Sequence, residues 1–163
     1  MKTLLILRHA KSSWKDSEID DFDRALNKRG KREAPRMGLL IREEDLLPDL
    51  VLSSSARRAR KTAEHVIQSS GYRGETRFTG DLYEASSWKL LECLRSVNDQ
   101  HQRVLVVGHN PGLEALVESL VGAYTPLSTG SLAHLQVEID TWQQLTDESR
   151  AQLVALWQPR ELG

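Results

Sequence analysis

One cysteine, Cys93, stands in a chain of 163 residues. A lone thiol excludes an internal disulfide and any thiolate metal cluster, and it fits a reducing compartment. No apolar run reaches membrane-spanning length. The N-terminal stretch MKTLLILRHAK pairs a charge with a short apolar run, but it lacks a small-residue cleavage site and reads as a first strand. A cytoplasmic location is therefore expected. Neither sign of charge is in excess: 22 Lys and Arg face 23 Asp and Glu, a net charge of −1. That balance gives no reason to expect nucleic acid or an anionic membrane as a partner. Nucleotide-binding glycine motifs are missing too. No G-x-x-x-x-G-K-[ST] occurs, and no G-x-G-x-x-G follows the first strand. With no H-x-x-x-H and no evident carboxylate companion for the histidines, a metal site is not expected, and no cofactor is implied.

What is present is an alternation of strand and helix. Apolar runs at about Thr3–Arg8, 49–54 and 103–109 read as buried strands, and ETRFTG (75–80) as a weaker one. Helices are expected from Asn27, as N-cap, to about Glu44, from Ala56 to Ser69, from Ser87 to Val97, and from Asn110-Pro111 to Val121. Gly30, Ala34, Met37, Gly38 and Ile41 form the core stripe of the first helix, which Pro35 is expected to kink. LAHLQVEI (132–139) alternates, and QLVALWQP (152–159) is its expected partner, an antiparallel addition at a sheet edge. The pattern predicts one domain over 1–163, a three-layer α/β/α sandwich with a mostly parallel sheet.

In such sheets, ligands bind beyond the carboxyl ends of the strands. The first strand ends in Arg8-His9. The second runs through three serines into Arg57-Arg58. The 103–107 strand ends in Gly108-His109-Asn110. Two histidines and two or three arginines thus converge on one rim. Arg57, Arg58, Arg60 and Lys61 also crowd a helix start, where the partial positive charge prefers anions. A solvated face accounts for Arg57, Arg60 and Lys61, whereas an arginine holding an anion accounts for Arg58. A neutral histidine among arginines is a nucleophile for phosphorus, with the arginines spreading the charge of the transferring group. The leaving group then needs a proton. Glu84 in DLYEAS is placed to give it, with Asp81 as the fallback. His65, His101 and His134 read as structural or solvated, the last on the polar face of an edge strand. Cys93 reads as buried and inert, and Trp88, Trp142 and Trp157 as packing.

The ordered set LRHAKS, LNKRG (26–30), SSARRARKTAE (54–64), LYE (82–84) and VVGHNPG (106–112) resembles the histidine phosphatase superfamily, the phosphoglycerate-mutase-like enzymes. RHAKSSW, the short chain and QPREL (158–162) resemble most closely its SixA-type phosphohistidine phosphatase branch. The resemblance implies that superfamily's α/β sandwich. It implies His9 as the nucleophile that becomes phosphohistidine, and Arg8 and Arg58 as phosphate-binding arginines. His109 becomes the second, transition-state-stabilising histidine, and Glu84 stands where many members carry the acid. The chain departs from the superfamily's usual R-H-G in having Ala10. It also has little room for the insertions that cover the site in larger members. An uncovered site suits a phosphate displayed on a protein, such as a histidine-containing phosphotransfer domain. The alternatives are a phosphatase of small phosphoesters such as sugar phosphates or nucleotides, a mutase, or a phospho-binding module without turnover. Lys11, Ser12 and Arg24 in the first loop are expected substrate contacts. Trp14 beside them is a further candidate contact, with packing against the domain as the expected reading.

Overall fold

A computed structural model describes residues 1–162; Gly163, the last residue of the expected domain span, lies outside the described residues. Six strands, β1 (Lys2–Arg8), β2 (Leu50–Ser54), β3 (Glu75–Thr79), β4 (Arg103–Gly108), β5 (Leu132–Val137) and β6 (Ala151–Trp157), form one sheet in the order β3-β2-β4-β1-β5-β6. The first four in that order are parallel, and β5 and β6 add antiparallel beside β1. The helices are α1 (Lys28–Glu43), α2 (Arg57–Ser70), α3 (Ser87–Arg95) and α4 (Gly112–Val121).

β1, β4 and the start of β2 read as unbroken apolar runs because both of their faces are buried. Successive side chains of a strand point to opposite faces. Thus Leu5 and Leu7 of β1 join Met37, Ile41, Ala59 and Ala63 of α1 and α2 in one core. Leu4 and Ile6 join Leu90, Leu94, Leu116 and Val117 of α3 and α4 in the other. The result is the expected three-layer arrangement. Each fully buried Leu or Ile contributes roughly 1.5–3 kcal/mol of transfer free energy to it. Among the described residues no helix is long and apolar enough to cross a membrane.

α1 runs unbroken through Pro35. Several local expectations are corrected. α3 stops at Arg95, two residues early, although Val97 is still buried. α4 starts at Gly112 instead of Pro111; Asn110 is no cap, and the Asn110-Pro111 peptide is cis. His134 is not on an edge strand, since β5 pairs with β1 on one side and β6 on the other. Trp88 does not pack either: it is largely exposed. His101 is structural, one of its two expected readings: it is buried, and its carbonyl accepts from Lys2 Nζ and Trp142 Nε1 at the amino end of the sheet.

The register positions the site. Arg8 of β1 pairs with Gly108 of β4, and Ser53 of β2 pairs with Val107. Three adjacent parallel strands therefore end level with one another. The residues that follow, His9, His109 and the turn into α2, meet over one end of the sheet.

Candidate active site

His9 and His109 extend two neighbouring strands by one residue each, and their ring centroids lie 5.1 Å apart. The His9 backbone is fixed on both sides. Its N–H donates to Gly108 O, and its carbonyl accepts from Gly130 N, which also donates to Arg8 O. Ala10 N donates to Thr62 Oγ1, whose hydroxyl donates in turn to Arg58 O. The loop after β1 is thereby tied to the first turns of α2.

Burial is the main force on both imidazoles, since it penalises the charged form. The His9 pKa is pushed down to about 3, first by desolvation and then by His109, Arg58 and Arg8. That of His109 falls to about 4, again first by desolvation and then by Arg58, against the opposing pull of Asp21. Both rings are neutral at physiological pH, so each carries one proton. His9 Nδ1 donates it to Ala10 O at 2.7 Å. The lone pair of His9 is therefore on Nε2. Ser54 Oγ lies 2.8 Å from His109 Nε2 and already accepts from Ala56 N. Among the described residues the Ser54 hydroxyl meets no other acceptor, so its proton is assigned to His109 Nε2 and the His109 proton to Nδ1.

Arg8 and Arg58 close the site. Arg8 Nη1 donates to Leu127 O at 2.9 Å. Arg58 is 2% exposed, and its Nη1 and Nη2 donate to the carbonyl and carboxylate of Asp21 at 2.6 and 3.1 Å. A second contact runs from Arg58 Nη2 to Glu84 Oε1 at 3.4 Å. Four buried polar atoms here have no partner among the described residues: Arg8 Nε, Arg58 Nε, His109 Nδ1 and Asn110 Oδ1. Three of them are donors. All four residues line one pocket of about 220 Å³, together with His9, Lys11, Ser12, Trp14, Asp21, Arg24, Glu84 and Thr129. Buried donors without partners are costly, by about 1–3 kcal/mol each, unless a ligand completes them. A tetrahedral oxyanion suits such a lining, since arginine and neutral imidazole N–H groups donate to its oxygens. Among the described residues no three His, Cys, Asp or Glu side chains are grouped so as to hold a metal ion.

Every expected site residue but one is brought to this pocket. Asp81, the fallback acid, is the exception: it lies outside, on the side of Lys89 and Cys93. Glu84 is at the rim with its side chain 55% exposed and a left-handed backbone, φ 53°. A non-glycine residue in that region is strained, and such strain collects at functional positions. Ser12 contributes by holding Arg24, accepting from Nη1 at 2.7 Å. Trp14 does not pack against the domain. It is 71% exposed, and the Arg24 guanidinium lies 3.5 Å from its ring centroid.

Two residues of the site carried no sequence signal. Asp21 bonds Arg58, Arg24 and the Tyr83 hydroxyl at once, and the Tyr83 hydrogen bond, then Arg24 and Arg58, hold its carboxyl down at about 2. It is one of five acids in DSEIDDFD (16–23), and only folding singles it out. Asn110 donates from Nδ2 to Leu127 O, the carbonyl that also holds Arg8.

The family model for the histidine phosphatase superfamily (branch 1) matches residues 4–92. An uncharacterised protein of Mycobacterium leprae is 35% identical over 94% of this chain and 100% of its own length. Among solved structures, an Agrobacterium tumefaciens protein described provisionally as the phosphohistidine phosphatase SixA superposes with a TM-score of 0.84. It is 28% identical, with 97% of this chain and 98% of that one covered. A protein of Nakamurella multipartitia described in the same terms gives 0.83 at 28% identity, over 97% and 96% of the two chains.

Proposed function

The chain belongs to the histidine phosphatase superfamily and is a phosphatase; from that premise we propose that it removes phosphate from phosphohistidine on a protein, by way of a phosphohistidine formed on His9. The observation that carries this reading is the convergence on one pocket of a neutral imidazole, whose free Nε2 is assigned by the Ala10 carbonyl, with Arg8, Arg58 and His109.

In the first step His9 Nε2 attacks phosphorus in line. The bond from phosphorus to the leaving nitrogen breaks, and its electron pair stays on that nitrogen. Arg8, Arg58 and His109 hold the phosphoryl oxygens and take up the charge that develops on them. With its other ring nitrogen protonated, the substrate imidazole leaves as a neutral ring, a far weaker base than an alkoxide, and needs little acid help. An ester leaving group needs a proton, and Glu84 at the rim supplies it. In the second step water attacks the His9-bound phosphorus, the Nε2–P bond breaks with its electron pair returning to Nε2, and the water proton passes to the Glu84 carboxylate in the ester case, or to the freed substrate imidazole or solvent otherwise. Inorganic phosphate leaves, and His9 returns to its neutral form.

Two features support a protein-borne substrate. The rim residues Trp14 and Glu84 are open to solvent, and the pocket of about 220 Å³ is smaller than the cavities that enclose whole small-molecule ligands. The SixA-described proteins in Agrobacterium tumefaciens and Nakamurella multipartitia share the fold over nearly its whole length. The test compares kcat/KM on a phosphorylated histidine-containing phosphotransfer protein with kcat/KM on sugar phosphates and nucleotides. The phosphoprotein is expected to be favoured at least about tenfold. Acid-labile, base-stable radiolabel should appear on the wild-type enzyme, and His9→Ala should remove both label and turnover, a loss of about 10³-fold or more. Preference for a small ester, or label surviving His9→Ala, overturns the reading.

A further inference from the structure

We propose that Trp14 and Arg24 form a leaving-group subsite at the mouth of the pocket that takes a planar ring, the imidazole of the phosphohistidine; this rests on the function proposed above. Large exposed aromatics elsewhere do not suggest it: Trp88 and Tyr124 are 63% and 62% exposed, but neither lines the catalytic pocket. Trp14 does, and it is not loose. The guanidinium under its ring belongs to a nearly buried arginine, 8% exposed. Arg24 Nε donates to Asp21 Oδ1 at 3.0 Å, and Nη1 donates to Ser12 Oγ at 2.7 Å. The indole therefore rests on a plate that is itself held flat, a cation–π contact with one partner fixed in advance. Arg24 covers one side of the ring, and most of the remaining indole surface faces solvent.

In-line attack fixes where the rest of the substrate lies. The leaving atom stands opposite His9 Nε2, on the side of phosphorus away from the sheet, so the leaving group points out through the mouth. Its first atoms pass the rim that Trp14 and Glu84 share. Glu84 suits a leaving group that needs a proton. Trp14 suits one that is flat, because aromatic rings gain from stacking beyond the area they bury. An imidazole has a face to offer the indole. A serine or sugar oxygen has none.

Two phosphoramidates that differ by the ring test the subsite: N-phosphoimidazole, and phosphoramidate itself, in which the leaving group is ammonia. The ratio of kcat/KM for the first over the second is expected to fall about 5- to 10-fold in Trp14→Ala, mostly through KM. Trp14→Phe should hold that ratio within about twofold of wild type. An unchanged ratio in Trp14→Ala overturns the subsite, whether both activities fall together, as they would if the indole only steadied Arg24, or neither falls. A wild-type enzyme inert toward both P–N compounds overturns the phosphohistidine reading instead. The ring subsite is then decided by the same ratio for p-nitrophenyl phosphate over O-phosphoserine.

Discussion

At the scale of single residues, the site is a set of side chains held out of their ordinary states. His9 and His109 are buried neutral, with pKa values pushed to about 3 and 4. A histidine whose folded pKa is depressed binds fewer protons in the native state than in the unfolded one, so its contribution to stability is present above about pH 6.5 and is lost as pH falls toward the folded value. The Tm of the phosphate-free protein should therefore drop as pH is lowered from 6.5 to 4, and the drop should be roughly 5 °C smaller in His9→Asn, measured by calorimetry. Addition of vanadate or phosphate should raise Tm at either pH, since the anion completes the orphan donors of the native state alone. Glu84 separates the two kinds of leaving group. Glu84→Gln should lower kcat on p-nitrophenyl phosphate and sugar phosphates by about 10²-fold and leave phosphohistidine within about threefold. Equal losses on both would show that the carboxylate does not act as the acid. His9, Arg8, Arg58 and His109 were legible because strand ends announce them and the superfamily motifs repeat them. Trp14 was misread because hydrophobic character predicts burial; nothing in the sequence shows that a buried arginine gives the indole a place to lie outside the core.

The elements were easiest to read where both faces of a strand are covered, as in β1 and β4, whose apolar runs are continuous. β3 gave the faintest strand signal because it is a sheet edge with few buried positions. The start of α4 was misplaced because Asn110 and Pro111 have capping preferences of their own, whereas here Asn110 turns its side chain to Leu127. Close approach between elements is the part that composition hides. A Cβ on Gly112 at the start of α4 would stand 1.9 Å from the carbonyl oxygen of Ala85, and one on Gly30 in the first turn of α1 would stand 2.2 Å from that of Lys11. Neither obstacle is a side chain that can swing away. Ala85 follows Glu84, so Gly112→Ala should displace the acid together with its backbone. We expect a loss of about 1–3 kcal/mol in denaturant unfolding and an ester-selective fall in activity that resembles that of Glu84→Gln. A uniform fall on phosphohistidine and esters would place the damage at the phosphate cradle instead.

At the scale of the whole molecule, sheet order concentrates the chemistry. β2, β4 and β1 are adjacent and level, so groups as distant in sequence as Arg8, Arg58 and His109 meet without any insertion to carry them. The remaining strands and both helical layers serve as the frame, and carbonyls of the loops it carries, those of Leu127 and Asp21, hold the arginines. An opening of this kind is also the way out. The oxyanion released at the end of turnover satisfies the same three donors as the one that arrives, and nothing at the cradle distinguishes them. Progress curves should bend well before the substrate is consumed, added orthophosphate should inhibit competitively, and Arg58→Ala should relieve that inhibition as it weakens substrate binding. In a medium rich in orthophosphate the catalyst would spend much of its time occupied by its own product, so its throughput follows the surrounding phosphate level as well as the supply of phosphorylated partner.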